Sequence, residues 1–166
     1  FKHGGLVLFD EMDASNPNAL LALNAALAND FASFPCGLVE RHADFRIIAS
    51  ANTFGHGASA QYVGRNPMDA ATLDRFAYIP MGYDEALERS IAGNDAWVDL
   101  VQAIRAQVEH HKMRFVVSPR ASIKGAKALA GGMAWRSAMD ALIFAKGWSD
   151  TDKNKVLDGV DFSITV

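Results

Sequence analysis

The stretch Gly5-Leu6-Val7-Leu8-Phe9-Asp10-Glu11-Met12-Asp13, followed by Ala14-Ser15-Asn16-Pro17, decides how this chain reads. An unbroken apolar run ends in Asp10, Glu11 and Asp13, and a Pro-marked helix start follows directly. Apolar runs of this length, bounded by Gly and turn residues, predict a strand buried on both faces. Carboxylates at the carboxyl end of such a strand sit where open α/β sheets bind ligands. The competing reading is a strand that ends in a solvated acidic turn.

Downstream, Ser15 or Asn16 is placed to cap a helix with Pro17 at its first position. Leu20, Leu21, Leu23, Ala25, Ala26 and Leu27 line that helix, which should end near Asn29-Asp30. Residues 31–42 alternate around Phe34-Pro35-Cys36-Gly37 and predict a β-hairpin. Residues 45–51 form a second buried-strand candidate ending in Asn52-Thr53. A Gly-rich loop follows, from Gly55-His56-Gly57 to Gly64-Arg65-Asn66-Pro67. Residues 68–73 predict a short helix that stops at Asp74-Arg75-Phe76, and 77–81 a third strand. Beyond Asp84 the patterns are helical, over 84–91, 95–111, 119–130, 134–145 and 150–157, with a mostly polar tail up to Ile164. The expected fold is therefore α/β, a parallel sheet with flanking helices and a hairpin over 1–83, followed by an all-helical subdomain over 84–166.

With 166 residues, half of them hydrophobic and 21% charged, the composition is that of a soluble globular protein. A net charge of −3 gives no global attraction for nucleic acid or anionic membrane. The single cysteine, Cys36, excludes an internal disulfide and a cysteine-based zinc site, and a reducing, cytoplasmic setting is the expectation. No apolar run approaches the roughly 18 residues needed to span a bilayer. The chain lacks an initiator Met and opens just before a strand, so it is expected to be the C-terminal part of a longer protein.

Polar residues mark each strand: Asp10-Glu11 and Asn52 at two ends, Arg75 just before the third. Taken singly, Asn52 also fits a turn former and Arg75 a solvated charge. Their order resembles the AAA+ ATPases. Leu6–Glu11 matches Walker B, Ile47-Ile48-Ala49-Ser50-Ala51-Asn52 sensor 1, and Leu73-Asp74-Arg75-Phe76 the arginine-finger segment. Ser118-Pro119-Arg120, at a helix start, looks like sensor 2. Within that family, Asp10-Glu11-Met12-Asp13-Ala14 before a helix, the hairpin, and Ala51-Asn52-Thr53 before a Gly-rich loop resemble the branch holding the MoxR-type ATPases, the cobalt chelatase ATPase subunit and the McrB-type proteins.

The resemblance implies ATP and Mg²⁺ as cofactors, with a partial P-loop NTPase sheet and a helical lid. Asp10 would hold Mg²⁺ through water, and Glu11 would orient and polarise the attacking water. Asn52 would hydrogen-bond that water or the γ-phosphate. Arg75 would act in trans on nucleotide bound by a neighbouring subunit, and Arg120 would bind phosphate as the lid closes. Arg120 also fits an ordinary surface residue, although a cation at a helix N-terminus opposes the dipole. The implied partners are further copies of the chain in a ring, a hexamer by resemblance, and a client protein; neither membrane nor nucleic acid is indicated. The hairpin tip would face either a ring pore and client or another subunit.

No G-x-x-x-x-G-K-[ST] occurs. That motif supplies the phosphate cradle, so it is expected upstream of Phe1, and the chain alone is expected not to hydrolyse ATP. Two alternatives remain open, a McrB-type GTP-dependent restriction motor and a non-catalytic AAA-like scaffold. His110-His111 read as helix-end imidazoles. His56 has no assigned role, and Trp97, Trp135 and Trp148 read as lid packing.

Overall fold

The computed structural model describes residues 1–160 and Phe162; the tail position Ile164 lies outside the described residues. It is mixed α/β and comprises two compact units, Phe1–Ile79 and Pro80–Val166.

In the first unit, β1 (Gly5–Phe9) runs parallel to β4 (Phe45–Ala49), with Gly5 opposite Phe45 and Phe9 opposite Ala49. Between them lie a 3₁₀ turn (Met12–Ala14), helix α1 (Pro17–Ala28), and the antiparallel hairpin of β2 (Phe31–Phe34) and β3 (Gly37–Glu40). Helix α1 starts as its sequence dictates. The Asn16 side chain accepts from Asn18 N and Pro17 occupies the first turn, where its missing N–H costs nothing. Pro35 presets the hairpin turn, and Gly37 follows it at φ 111°, a backbone only glycine adopts readily.

Three expectations need correction. β1 is not buried on both faces, since Leu6 and Leu8 are 65% and 62% exposed. The parallel sheet has two strands among the described residues, and side-chain alternation puts Leu6, Leu8 and Ile48 together on its open face. An apolar run records which side chains are suited to burial, and burial itself needs a covering layer. Residues 77–81 form no strand. Pro80 lacks the N–H a ladder needs, and Tyr78, Ile79 and Met81 are exposed. The short helix is α2 (Ala70–Leu73), which starts later than expected because the Asp69 side chain caps Ala71 N while Met68 N donates to Gly55 O.

Among the described residues of the second unit the regular elements are all helical, with α3 (Glu85–Ala92), α4 (Asp95–His110), α5 (Pro119–Ala130), α6 (Trp135–Met139) and α7 (Asp150–Leu157). Helix α6 continues into a π-helical turn at Asp140–Phe144. Trp97, Val101, Ile104 and Val108 project from one face of α4 into a core that also takes Phe115, Ile143, Phe144 and Trp148. Trp97 and Trp148 are buried and Trp135 partly so, in keeping with a packing role.

α5 packs closely because Gly125 has no side chain. A Cβ there would lie 2.2 Å from the Trp97 indole, whose Nε1 donates to Ala121 O at 3.2 Å. Gly125→Ala should therefore destabilise the second unit by about 1–3 kcal/mol through overpacking, despite its better helix propensity. Urea unfolding checks this, with exposed Lys124→Ala expected to stay within about 0.5 kcal/mol of the parent.

Candidate functional site

The carboxyl ends of β1 and β4 are stitched together by a continuous set of hydrogen bonds. Ser50 N donates to Phe9 O at 2.9 Å, and Met12 N donates to Ser50 O at 2.8 Å. The Ser50 hydroxyl donates to Asp10 Oδ1 and accepts from Glu11 N at 3.1 Å. Glu11 N also reaches Asp10 Oδ1 at 3.1 Å. These bonds hold Glu11 in the left-handed region, at φ 52° and ψ 45°. For a non-glycine residue that conformation is uncommon and persists when its surroundings over-determine it.

Asp13 makes the second tie. Its side chain is fully buried, and Oδ2 accepts from Asn52 N at 3.1 Å, Thr53 N at 2.9 Å and Thr53 Oγ1 at 2.8 Å. Asp13 Oδ1 has no hydrogen bond but faces Arg65 Nη1 at 3.6 Å. The same Arg65 nitrogen donates to Glu11 Oε2 at 3.3 Å. The Glu11 hydrogen bond is the largest cause holding the Arg65 guanidinium above its ordinary value, and the Asp13 and Glu11 charges add to it. Asn66 docks the same loop, with its N donating to Asp13 O at 2.9 Å and its Nδ2 to Ser15 O at 3.1 Å.

Asp10, Glu11 and Asn52 thus meet at one end of the parallel pair, all three exposed. Asp10 offers hard oxygen donors suited to a hydrated divalent cation. Among the described residues no group of three or more His, Cys, Asp or Glu could hold a metal by itself, so such an ion would depend on water or ligand oxygens. Arg75, in the same unit, is exposed and turns its guanidinium back onto Ala71 O of α2, which ends two residues before it. Arg120 lies in the second unit, exposed in the first turn of α5.

Sequence reasoning assigned no role to Ser50, Thr53, Arg65 or the Asp13 carboxylate. Asp13 carried a usable signal, an acid directly after the apolar Met12 at the end of the strand segment. Arg65 carried none, since a lone Arg in a Gly-rich loop reads as solvated.

The start of α5 is held by a buried charge cluster. Arg105 donates from Nη1 and Nη2 to the two Glu88 oxygens at 2.9 and 2.6 Å, and from Nε to Val117 O at 2.7 Å. Ser122 Oγ donates to Glu88 Oε1, Gln102 Nε2 to Oε2 at 3.3 Å, and the Tyr83 ring lies 4.7 Å from the Arg105 guanidinium carbon. His111, at the end of α4, is pushed below its ordinary value first by burial and then by Lys155 and His110.

No protein-family model matches the chain, and no curated protein matches it either.

Burial alone would raise the Glu88 carboxyl, but the hydrogen bonds from Arg105 and Ser122 and the Arg105 charge outweigh it and hold the group below its ordinary value. A depressed folded value means the stabilisation is complete above the unfolded value of about 4.3 and is lost as pH falls through the folded one. Thermal unfolding followed against pH should show the second unit losing stability below about pH 4. Glu88→Gln, which leaves Arg105 buried against a neutral amide, should lower Tm at neutral pH and flatten that acid limb.

Proposed function

We propose that the chain is the Walker B-to-lid part of an AAA+-type ATPase of the MoxR and chelatase-like branch. In this reading it works as a ring, a hexamer, that remodels or activates a client protein complex. The observation that carries the proposal is the meeting of Asp10, Glu11 and Asn52 at the carboxyl ends of two adjacent parallel strands. Ligand sites of open α/β sheets form at such ends.

Bound ATP with Mg²⁺ supplies the electrophilic γ-phosphorus and screens the phosphate charge. The protein contributes position and electrostatics, which dominate phosphoryl transfer. Asp10, with its exposed carboxylate, would hold the cation through water. Glu11 accepts a hydrogen bond from the attacking water and raises the electron density on its oxygen. Asn52 fixes the line of approach with its side-chain amide. By the resemblance, Arg75 would leave Ala71 O to reach nucleotide on a neighbouring subunit, and Arg120 would bind phosphate. Phosphate cradling by a P-loop must come from sequence other than these 166 residues, which contain no such motif.

In the full-length protein, Glu11→Gln should abolish ATP turnover while nucleotide still binds. Arg75→Ala should lower turnover by about 10³-fold or more, the usual scale of an arginine finger, again with binding retained. Turnover measured by phosphate release decides both, and wild-type rates in either variant contradict the corresponding assignment. The 166-residue chain alone should release no phosphate above its own Glu11→Gln control.

A further inference from the structure

Arg65 and Glu11 are an unequal pair. The Arg65 side chain is 11% exposed and the Glu11 side chain 61%. The cation is the fixed member. Fully buried Asp13 faces it at 3.6 Å, the Tyr62 ring lies 6.0 Å from its guanidinium carbon, and the next residue, Asn66, is anchored to Asp13 O and Ser15 O. The carboxylate is the movable member, held by a single contact of 3.3 Å between Nη1 and Oε2, at the long end of a hydrogen bond. Its backbone, in contrast, is pinned by Ser50 Oγ and Asp10 Oδ1. Freeing the carboxylate therefore takes a side-chain rotation and no change in the main chain.

A carboxylate that polarises water must direct an oxygen lone pair at that water. The oxygen held by Arg65 is engaged elsewhere, and the guanidinium charge reduces its power as an acceptor. We propose that Arg65 is a latch that holds Glu11 in a resting position, so that the site turns over slowly until Glu11 swings free. The inference rests on the ATPase reading of the same site and adds its regulation. Arg65 acts only through Glu11 and is a positioning residue. A single contact to a largely exposed carboxylate makes a weak pair, so the latch opens readily and its removal changes the rate modestly.

The test uses the full-length protein without client. Arg65→Gln should raise ATP turnover about two- to fivefold, the scale of an exposed ion pair, with the Kd for an ATP analogue unchanged. Unchanged or lower turnover in this variant, folded by circular dichroism, overturns the latch. If Arg65→Gln does not fold, Arg65→Lys decides. Both contacts come from Nη1; lysine keeps a cation on the side of buried Asp13 but ends one atom short of that nitrogen and does not reach Glu11, so the same rise is expected, and its absence overturns the proposal. Damage to the site would weaken analogue binding and slow turnover together, opposite to the expected pattern. Glu11→Gln, run in parallel, separates the two levels. If it abolishes turnover while Arg65→Gln is silent, the latch fails and the ATPase reading stands. If it leaves turnover intact, the ATPase reading fails.

Discussion

The first unit depends on one buried carboxylate. Asp13 follows β1 by a few residues, and its Oδ2 collects both main-chain N–H groups that follow β4 beyond Ala51. A buried charge is costly unless several donors satisfy it. Asn52 N, Thr53 N and the Thr53 hydroxyl satisfy Oδ2, and the Arg65 guanidinium faces Oδ1 at 3.6 Å without a hydrogen bond. The bonds fix where the chain turns after each strand, and with it where Asp10, Glu11 and Asn52 lie. Without Asp13 the two Asn52-Thr53 amides would lack their acceptor, and Arg65 would lose its anchor.

The second unit applies the same device at a different place. Glu88, also buried, draws Arg105, Ser122 and Gln102 together, and Arg105 in turn binds Val117 O just before α5 begins. The indole of Trp97 adds a bond to Ala121 O in the first turn of that helix. Arg120 sits within this turn, so the residue proposed to sense phosphate projects from a backbone with little freedom. Rigid placement of an exposed functional side chain by buried polar groups is thus common to both units. Its energetic cost lies in desolvated charges that a purely apolar core would avoid.

What could be read from residue order is what depends on near neighbours. The Asn16-Pro17 helix start, the hairpin around Pro35-Cys36-Gly37 and the amphipathic face of α4 are local matters, decided by capping, turn chemistry and helical period. The exposure of Leu6 and Leu8 was not legible, because an apolar run does not say which layer covers it. Nor was the loss of a strand at 77–81, where pairing depends on a neighbour that local pattern does not specify. In the site, Asp10, Glu11 and Asn52 were legible as residues at strand ends. Arg65 was not, because its role follows from the path of a Gly-rich loop that brings it back some fifty residues to Glu11.

The proposed function puts the hydrolytic half of a nucleotide site at the carboxyl ends of β1 and β4. The most direct measurement is an experimental structure of the full-length protein with Mg²⁺ and a non-hydrolysable ATP analogue. The γ-phosphate is expected beside Asp10, Glu11 and Asn52, with Glu11 turned from Arg65 toward the phosphate. Nucleotide bound elsewhere, with these three side chains facing bulk water, would contradict it.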